Sequence, residues 1–193
     1  YTYDRPKNEA SYFGMQPLTG WVSSNPSTNE YADQATVDAN KGYWDTVNGR
    51  ACGVFEIGKQ AFLGGPAFKS PMEMSDGSTE GKVLGFISVW SSTTQYTQTV
   101  TIPAGKYTLT ISYYNVGGTG TVAKNLMGFV TDEGVEYLAD LKTFKVGSWE
   151  KFKVVFELDE PTSGYFTLGM KAANAGSGSM PHFFIDGITL NYV

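Results

Sequence analysis

The sequence of 193 residues is poor in the side chains that build most catalytic and metal sites. It contains one cysteine, Cys52, and one histidine, His182. A single cysteine cannot form an internal disulfide, and it cannot hold a metal ion without partners. Its neighbours are small or apolar, so we expect Cys52 to be a structural residue at the start of a buried strand. The scarcity of cysteine fits the cytosol or an export route that does not rely on disulfides.

Charged residues and long apolar runs are also scarce. Asp, Glu, Lys and Arg make up 17% of the chain, the net charge is −5 and the isoelectric point is about 4.9. An acidic chain is a poor partner for a phosphate backbone, so we do not expect nucleic acid binding. No window approaches 18 consecutive apolar residues, so we expect no membrane-spanning segment in this chain.

Familiar enzyme motifs are missing from the sequence as well. It has no G-x-S-x-G, H-E-x-x-H, Walker A or G-x-G-x-x-G pattern. A Ser-His-Asp or Cys-His site would have to use His182, which we expect to be structural. We interpret Gly117-Gly118-Thr119-Gly120 as a hairpin turn. A pair of carboxylates about 5 to 10 Å apart remains an alternative for glycoside hydrolysis. The candidate acids are Glu56, Glu73, Asp76, Glu80, Asp132 and Glu133.

The abundant residues favour strands and turns. The chain has 23 glycines, 12 phenylalanines and 12 tyrosines. From Leu18 onward, short apolar runs are separated by turn residues at the spacing of an all-β sandwich or barrel. Residues 1–17 show no period, and we interpret them as a lead-in or linker strap. Residues 18–193 are predicted to form a single β-sandwich domain.

Three runs, at 106–115, 151–158 and 165–172, alternate apolar and polar side chains. One buried face and one wet face is the antiparallel pattern. We predict roughly nine or ten strands in an antiparallel jelly roll, with short turns at 103–105 and 159–164 that fold neighbouring strands back on each other. Further strands are predicted near 20–23, 53–57, 83–90, 96–102, 127–131 and 183–191.

Aromatic residues give the strongest functional signal, since 4 Trp and 12 Tyr exceed what a core of this size needs. Apolar faces of sugars pack on flat rings, and sugar hydroxyls need polar partners nearby. Trp44 lies in a polar segment, Trp90 ends a predicted strand, and Tyr114 lies on the Thr/Ser face of its strand, followed by Asn115. These four residues are the candidate ligand-binding residues.

Packing beneath a loop is the alternative role for each aromatic candidate. Trp21 and Trp149 lie near glycine at predicted strand starts, and we expect both to be structural. Aromatic rings beside amides therefore indicate sugar binding, but the pattern is not specific to that function.

Asp186 is predicted to share a strand face with the apolar residues Phe184, Ile188 and Leu190. A carboxylate on that face must be hydrogen-bonded, bound to a cation, or turned outward by a bulge at Asp186-Gly187. Oxygen-rich loops elsewhere in the chain could supply further ligands for Ca²⁺. The residues alone leave these alternatives open.

Three segments resemble the galactose-binding-domain-like jelly roll: HFFIDGITL, TQTVTIPAGKYTLTISYYN and GSWEKFKVVFELDEPTSGYFTLG. They are similar to the closing strand, the central hairpin and the late hairpin of that fold, which is widespread among carbohydrate-binding modules. More closely, the chain resembles domains of unknown function in Bacteroidetes surface lipoproteins linked to polysaccharide use. The resemblance covers residues 83–192 well and residues 18–82 loosely.

The resemblance implies a non-catalytic module that binds a poly- or oligosaccharide. It implies an extracellular or cell-surface location, with any signal or lipid anchor outside this chain. No cofactor is required, but in similar modules the residue matching Asp186 often binds a structural Ca²⁺ with an early-strand acid, for which Glu56 is a loose match. Sugar sites in such modules lie in loops at one end or on the concave sheet face.

Two other functions remain open on these residues. One is a structural or protein-interaction domain that docks neighbouring domains or surface proteins of a polysaccharide-utilisation complex. The other is a carboxylate-dependent enzyme that acts on glycans. Fold does not decide among the three functions.

Overall fold

The computed structural model describes residues 14–15, 18–23, 50–58, 71–88, 93–117, 122–140, 145–173 and 182–193. Within them no helix is long and apolar enough to cross a membrane. These residues form twelve strands: β1 Gly14–Met15, β2 Val22–Ser23, β3 Arg50–Glu56, β4 Lys82–Ser88, β5 Thr93–Ile102, β6 Gly105–Gly117, β7 Val122–Asn125, β8 Gly128–Thr131, β9 Glu136–Leu138, β10 Trp149–Leu158, β11 Thr162–Ala172 and β12 His182–Tyr192.

The strands form two sheets with a shared core. Sheet A has the order β1-β3-β4-β12-β6-β10, and sheet B has the order β2-β5-β11-β8-β9, with β7 also pairing with β11. The long strands pair antiparallel, whereas the two residues of β1 run parallel to β3. From β4 to β6, and from β10 to β12, the chain alternates between the sheets, which is the jelly-roll arrangement. The predicted all-β sandwich is confirmed.

The short connections join the two sheets. Residues 103–104 lead from β5 in sheet B to β6 in sheet A, and residues 159–161 lead from β10 in sheet A to β11 in sheet B. These connections are short, as predicted, and the strands that each one joins lie in different sheets and do not pair with each other. Most of the hairpin turn predicted at 117–120 lies outside the described residues, and the flanking strands β6 and β7 lie in different sheets. Alternation shows which face is buried but not which strand supplies the hydrogen bonds, and packed sheets lie only about 10 Å apart.

Side chains from the inner faces of both sheets form the core. In β10, Val154, Phe156 and Leu158 are buried, while Lys153 and Val155 on the opposite face are exposed. This is the predicted alternation, and it follows from one face being wet. The predicted inward residues of β11 also lie in the core or pack against it: Phe166, Leu168 and Met170.

A bulge changes the face of β12 midway along the strand. Asp186 and Thr189 are three residues apart but face two adjacent outward positions of β6, so β12 contains one extra residue here. Gly187, with φ of +56°, lies inside the bulge. As a result Phe184 points away from the core, whereas Leu190 points between the sheets. The prediction that Asp186 shares a face with Leu190 is wrong because of this bulge.

The edge of sheet A includes part of the segment interpreted as a lead-in. Gly14 and Met15 pair with Ala51 and Cys52 at the start of β3. Cys52 therefore lies in a strand, as predicted. The division of the chain into 1–17 and 18–193 stays a prediction.

Candidate functional site

Two aromatic rings lie side by side on the outer face of sheet A. Tyr114 in β6 is the cross-strand partner of Trp149 at the start of β10. Their ring centroids are 5.4 Å apart with planes inclined at 63°, an edge-to-face contact. Both rings are partly exposed, and Tyr113, the neighbour of Tyr114, is buried in the core on the opposite face. The pair thus presents aromatic surface from two rigid strands.

Residues 71–81 lie along this face and are hydrogen-bonded to Trp149 of the pair and to Asp186 of β12. The indole Nε1–H of Trp149 donates a hydrogen bond of 2.7 Å to the carbonyl oxygen of Glu73. Ser75 donates to Asp186 Oδ2 from its hydroxyl at 2.7 Å and from its backbone N–H at 3.2 Å. The segment is therefore attached to β10 and β12, and the orientation of the Trp149 ring is fixed.

Charged groups border the same region. The backbone N–H of Ser78 donates to Asp76 Oδ1 at 2.9 Å. Hydrogen bonds from Ser78, with a smaller contribution from the Lys151 ammonium, hold the pKa of the Asp76 carboxyl below its usual value. The side chains of Asp76 and Lys151 are exposed. The region therefore offers an ionised acceptor and a cationic donor beside the rings.

The structure places the four predicted ligand-binding residues differently. Trp44 and Trp90 lie outside the described residues. Tyr114 lies on the outer face, but Asn115 points to the other side of β6 and is 0% exposed. Consecutive strand residues face opposite sides, so Asn115 does not lie beside the Tyr114 ring. Its backbone carbonyl accepts a 2.8 Å hydrogen bond from Gly147 N–H, which fixes the turn before Trp149.

Trp149 is the member of the pair that sequence reasoning assigned to a structural role. Its position in β10 carries the missing signal, because it shares parity with the exposed residues Lys151 and Lys153. That parity places the indole on the wet face of the strand. The pairing of Trp149 with Tyr114 could not be predicted in the same way, because the register of β10 against β6 is not encoded in either segment.

Asp186 accepts hydrogen bonds from Ser75, which is one of the alternatives that the sequence left open. It also lies at the bulge of β12. Ca²⁺ takes about six to eight oxygen ligands, whereas the groups described around Asp186 are the donors of Ser75. No three His, Cys, Asp or Glu side chains in the described ranges could share a metal ion. Glu56 ends β3 opposite Lys82, and its side chain lies outside the description. These residues do not suffice for calcium, which stays a prediction.

His182 is unsuited to proton transfer in the folded protein. It is 2% exposed, and its ring centroid lies 5.3 Å from that of Phe184. Burial lowers the pKa of the imidazole to about 3. A buried neutral imidazole has no access to a substrate, which agrees with the expected structural role.

The candidate carboxylates belong to separate parts of the fold. Glu73, Asp76 and Glu80 lie in the segment along sheet A, whereas Asp132 and Glu133 lie in the turn between β8 and β9 of sheet B. The structure therefore divides the acids considered for a glycosidase pair between the two sheets.

Burial of His182 predicts a pH dependence of stability. Its pKa is about 3 in the folded protein and about 6.5 in an unfolded chain. Below about pH 6.5 the unfolded state binds a proton that the folded state does not, so the free energy of unfolding decreases as pH falls towards 3. Between about pH 7.5 and about pH 5 we expect His182 to contribute a loss of about 2 kcal/mol.

The measurement is urea unfolding of the wild type and His182→Gln at both pH values. Carboxylates titrate in both proteins, so their effect cancels in the comparison. The variant should lose about 2 kcal/mol less than the wild type over this interval. Equal losses in the two proteins would show that the imidazole is accessible to protons in the fold.

Comparisons with known proteins give only distant similarities. No family model matches the chain, and no curated protein matches it. A family 16 carbohydrate-binding module is 19% identical, with a TM-score of 0.37, over 72% of this chain and 84% of that chain. The family 11 carbohydrate-binding module of a cellulosomal cellulase from Clostridium thermocellum is 12% identical, with a TM-score of 0.38, over 92% and 90%.

A third solved structure comes from work on the promiscuous specificity of carbohydrate-binding modules of the β-sandwich superfamily. It is 11% identical with a TM-score of 0.39, over 98% of this chain and 63% of that chain. At identities and TM-scores this low, the similarities do not bear on what the chain binds.

Proposed function

We propose that the chain is a non-catalytic domain that binds a poly- or oligosaccharide at the Tyr114–Trp149 pair. The observation that carries this proposal is the edge-to-face contact of two partly exposed rings on adjacent strands of sheet A. Apolar faces of sugar rings gain most from aromatic surface that is already fixed in place, because little conformational entropy is then lost on binding.

The groups around the pair fit the polar edges of a sugar. The Asp76 carboxylate can accept hydrogen bonds from hydroxyls, and the Lys151 ammonium can donate to them. The indole N–H of Trp149 is already engaged with Glu73, so this ring contributes its apolar surface rather than a donor. The ligand therefore stacks on the rings and is oriented by charged groups at the border.

A glycan-binding role suits an exported or cell-surface protein, because the polysaccharides that such a domain would bind lie outside cells. Neighbouring domains or surface proteins are the expected partners. The domain would hold the polymer near them without reacting with it.

Replacing Trp149 by alanine should weaken glycan binding by roughly thirtyfold, because about 2 kcal/mol of aromatic contact is lost. Trp149→Phe should weaken glycan binding only about threefold, because the phenylalanine ring retains most of the aromatic contact. The remaining loss comes from the missing hydrogen bond to Glu73, which orients the ring. Tyr114→Ala should weaken binding by about tenfold. The measurement is tryptophan fluorescence with a panel of plant, host and microbial glycans, supported by isothermal titration for any glycan that binds.

Tyr165→Ala is the matched control, since Tyr165 is a partly exposed tyrosine on the outer face of sheet B. It should leave glycan affinity unchanged. A loss of binding in Tyr165→Ala with none in Trp149→Ala would move the site to the other sheet. Repeating the titration with Ca²⁺ and with chelator tests the calcium prediction for Asp186 and Glu56.

A protein-interaction domain is the alternative function, favoured by the hydroxyl-rich outer face of sheet B. Thr99, Thr101 and Ser163 are exposed there, and the hydroxyls of Thr101 and Ser163 lie 2.9 Å apart. The absence of any saturable fluorescence or calorimetric signal across the glycan panel, together with co-purification of a partner protein that Tyr165→Ala abolishes, would favour this role.

A further inference from the structure

A cavity lies between the two sheets, apart from the aromatic pair on the outer face. Its volume is about 200 Å³. The floor is formed by Leu109 and Ile111 of β6 and Leu168 of β11, which are almost completely buried. The floor is therefore apolar and built on long strands of both sheets.

Among the described strands, the mouth of this cavity forms where each sheet lacks a neighbouring strand. The described pairing of β4 with β12 stops at Ile185, and that of β2 with β5 stops at Val22–Thr97. Beyond these points Leu190 and Gln98 line the cavity together with Trp21. Leu190 is 37% exposed, so the cavity communicates with the surface at this edge.

The lining defines the class of ligand. Gln98 supplies the side-chain amide, Trp21 supplies an indole, and the remaining lining residues are apolar or glycine. Apolar protein cavities of about 150 Å³ stay dry and take up benzene. A cavity of about 200 Å³ therefore has room for an aromatic ring with one small substituent.

We propose that this cavity binds a small, mainly apolar molecule with a single hydrogen-bonding group directed at Gln98. The amide can donate or accept, so a hydroxyl on the ligand finds a partner at the mouth while its ring packs on the floor. This site is separate from the Tyr114–Trp149 pair, so the inference does not depend on glycan binding.

The test uses 4-methylphenol and toluene as probes, with ¹H–¹³C NMR of the isoleucine and leucine methyl groups. Both probes should give saturable shifts confined to the cavity, at Ile111, Leu168, Ile188 and Leu190. 4-Methylphenol should bind about threefold to tenfold more tightly than toluene, the ratio expected for one additional hydrogen bond. Gln98→Leu should remove this preference while toluene still binds.

Leu190→Trp is the blocking variant, because it enlarges a partly exposed side chain at the mouth and leaves the floor intact. It should abolish saturable binding of both probes, with the other methyl signals unchanged. If the variant unfolds, the Gln98→Leu comparison decides the matter. The proposal is overturned by shifts that do not saturate up to the solubility of the probes, by shifts scattered over the surface, or by an unchanged preference in Gln98→Leu.

Discussion

Gly169→Ala is expected to destabilise the protein by about 3 to 5 kcal/mol, a large fraction of the stability of an ordinary domain. Gly169 lies in β11, opposite Gln95 of β5. A Cβ at this position would collide with the carbonyl oxygen of Thr94 and would lie 2.7 Å from the Cα of Gln95. These are backbone atoms of a paired strand, so they cannot move aside without breaking the ladder.

Two further glycines separate the causes of this effect. A Cβ at Gly164 would meet the carbonyl oxygen of Val130, but Gly164 does not adopt a positive φ, whereas Gly169 has a φ of +156°. Gly77 has a φ of +86° and no atom within 4 Å of an added Cβ, so only its backbone conformation opposes a side chain. Gly77→Ala should cost about 1 kcal/mol, and Gly164→Ala should cost nearly as much as Gly169→Ala.

Urea unfolding of the three variants provides the comparison. The order of destabilisation should be Gly169→Ala, then Gly164→Ala, then Gly77→Ala. A cost for Gly169→Ala no greater than that for Gly77→Ala would mean that β5 and β11 do not approach as closely as the structure has them.

Phe183→Ala is expected to cost about 3 to 5 kcal/mol. Phe183 is 1% exposed and stacks between Phe86 and Tyr113, with ring centroids 4.9 Å from each. Removing the middle ring leaves a cavity between two rings that belong to different strands of sheet A. Since β12 lies between β4 and β6, neither neighbour can close the gap without moving its own strand.

Phe183→Leu should cost less, about 1 to 2 kcal/mol, because most of the volume is retained. Val155→Ala is the control, since Val155 is 57% exposed on the wet face of β10. It should change the free energy of unfolding by no more than about 0.5 kcal/mol. Similar effects of Phe183→Ala and Val155→Ala in urea unfolding would contradict the stacked arrangement.

The sequence predicted strand faces well where one face of the strand is wet. In β10 the alternation of Phe156 with Lys153 and Glu157 is enough to identify the core side. The same alternation did not predict the faces of β12, where Phe184 is buried although it points away from the main core. The extra residue of the bulge then shifts the alternation, so that the outer face carries Phe184 and Asp186 before the bulge and Thr189 after it.

The short strands and the pairing between strands could not be predicted from the sequence, and the reasons differ from the one that applies to β12. The strands β7 and β9 contain 4 and 3 residues, too few to display alternation. The partner of each strand depends on contacts between residues far apart in the chain. The twelve strands described exceed the roughly nine or ten predicted because β1, β7 and β9 have no recognisable pattern.

The candidate site could be predicted only in part for the same physical reasons. Tyr114 was placed on the outer face because its own strand alternates. That alternation also puts Asn115 on the core side, a consequence that follows from the sequence itself. Trp149 joins Tyr114 only through the register between β6 and β10, which a single sequence does not reveal.

The central place of β12 in sheet A has a consequence for biosynthesis. Its neighbours β4 and β6 are translated about a hundred and about seventy residues before β12 is complete, and they do not pair with each other. Until residue 192 leaves the ribosome, each keeps an unpaired edge that can associate with another chain. In contrast, β5 and β11 can pair once residue 172 is available. The strands on either side of β12 in sheet A therefore keep unpaired edges until later in synthesis than the central pair of sheet B does.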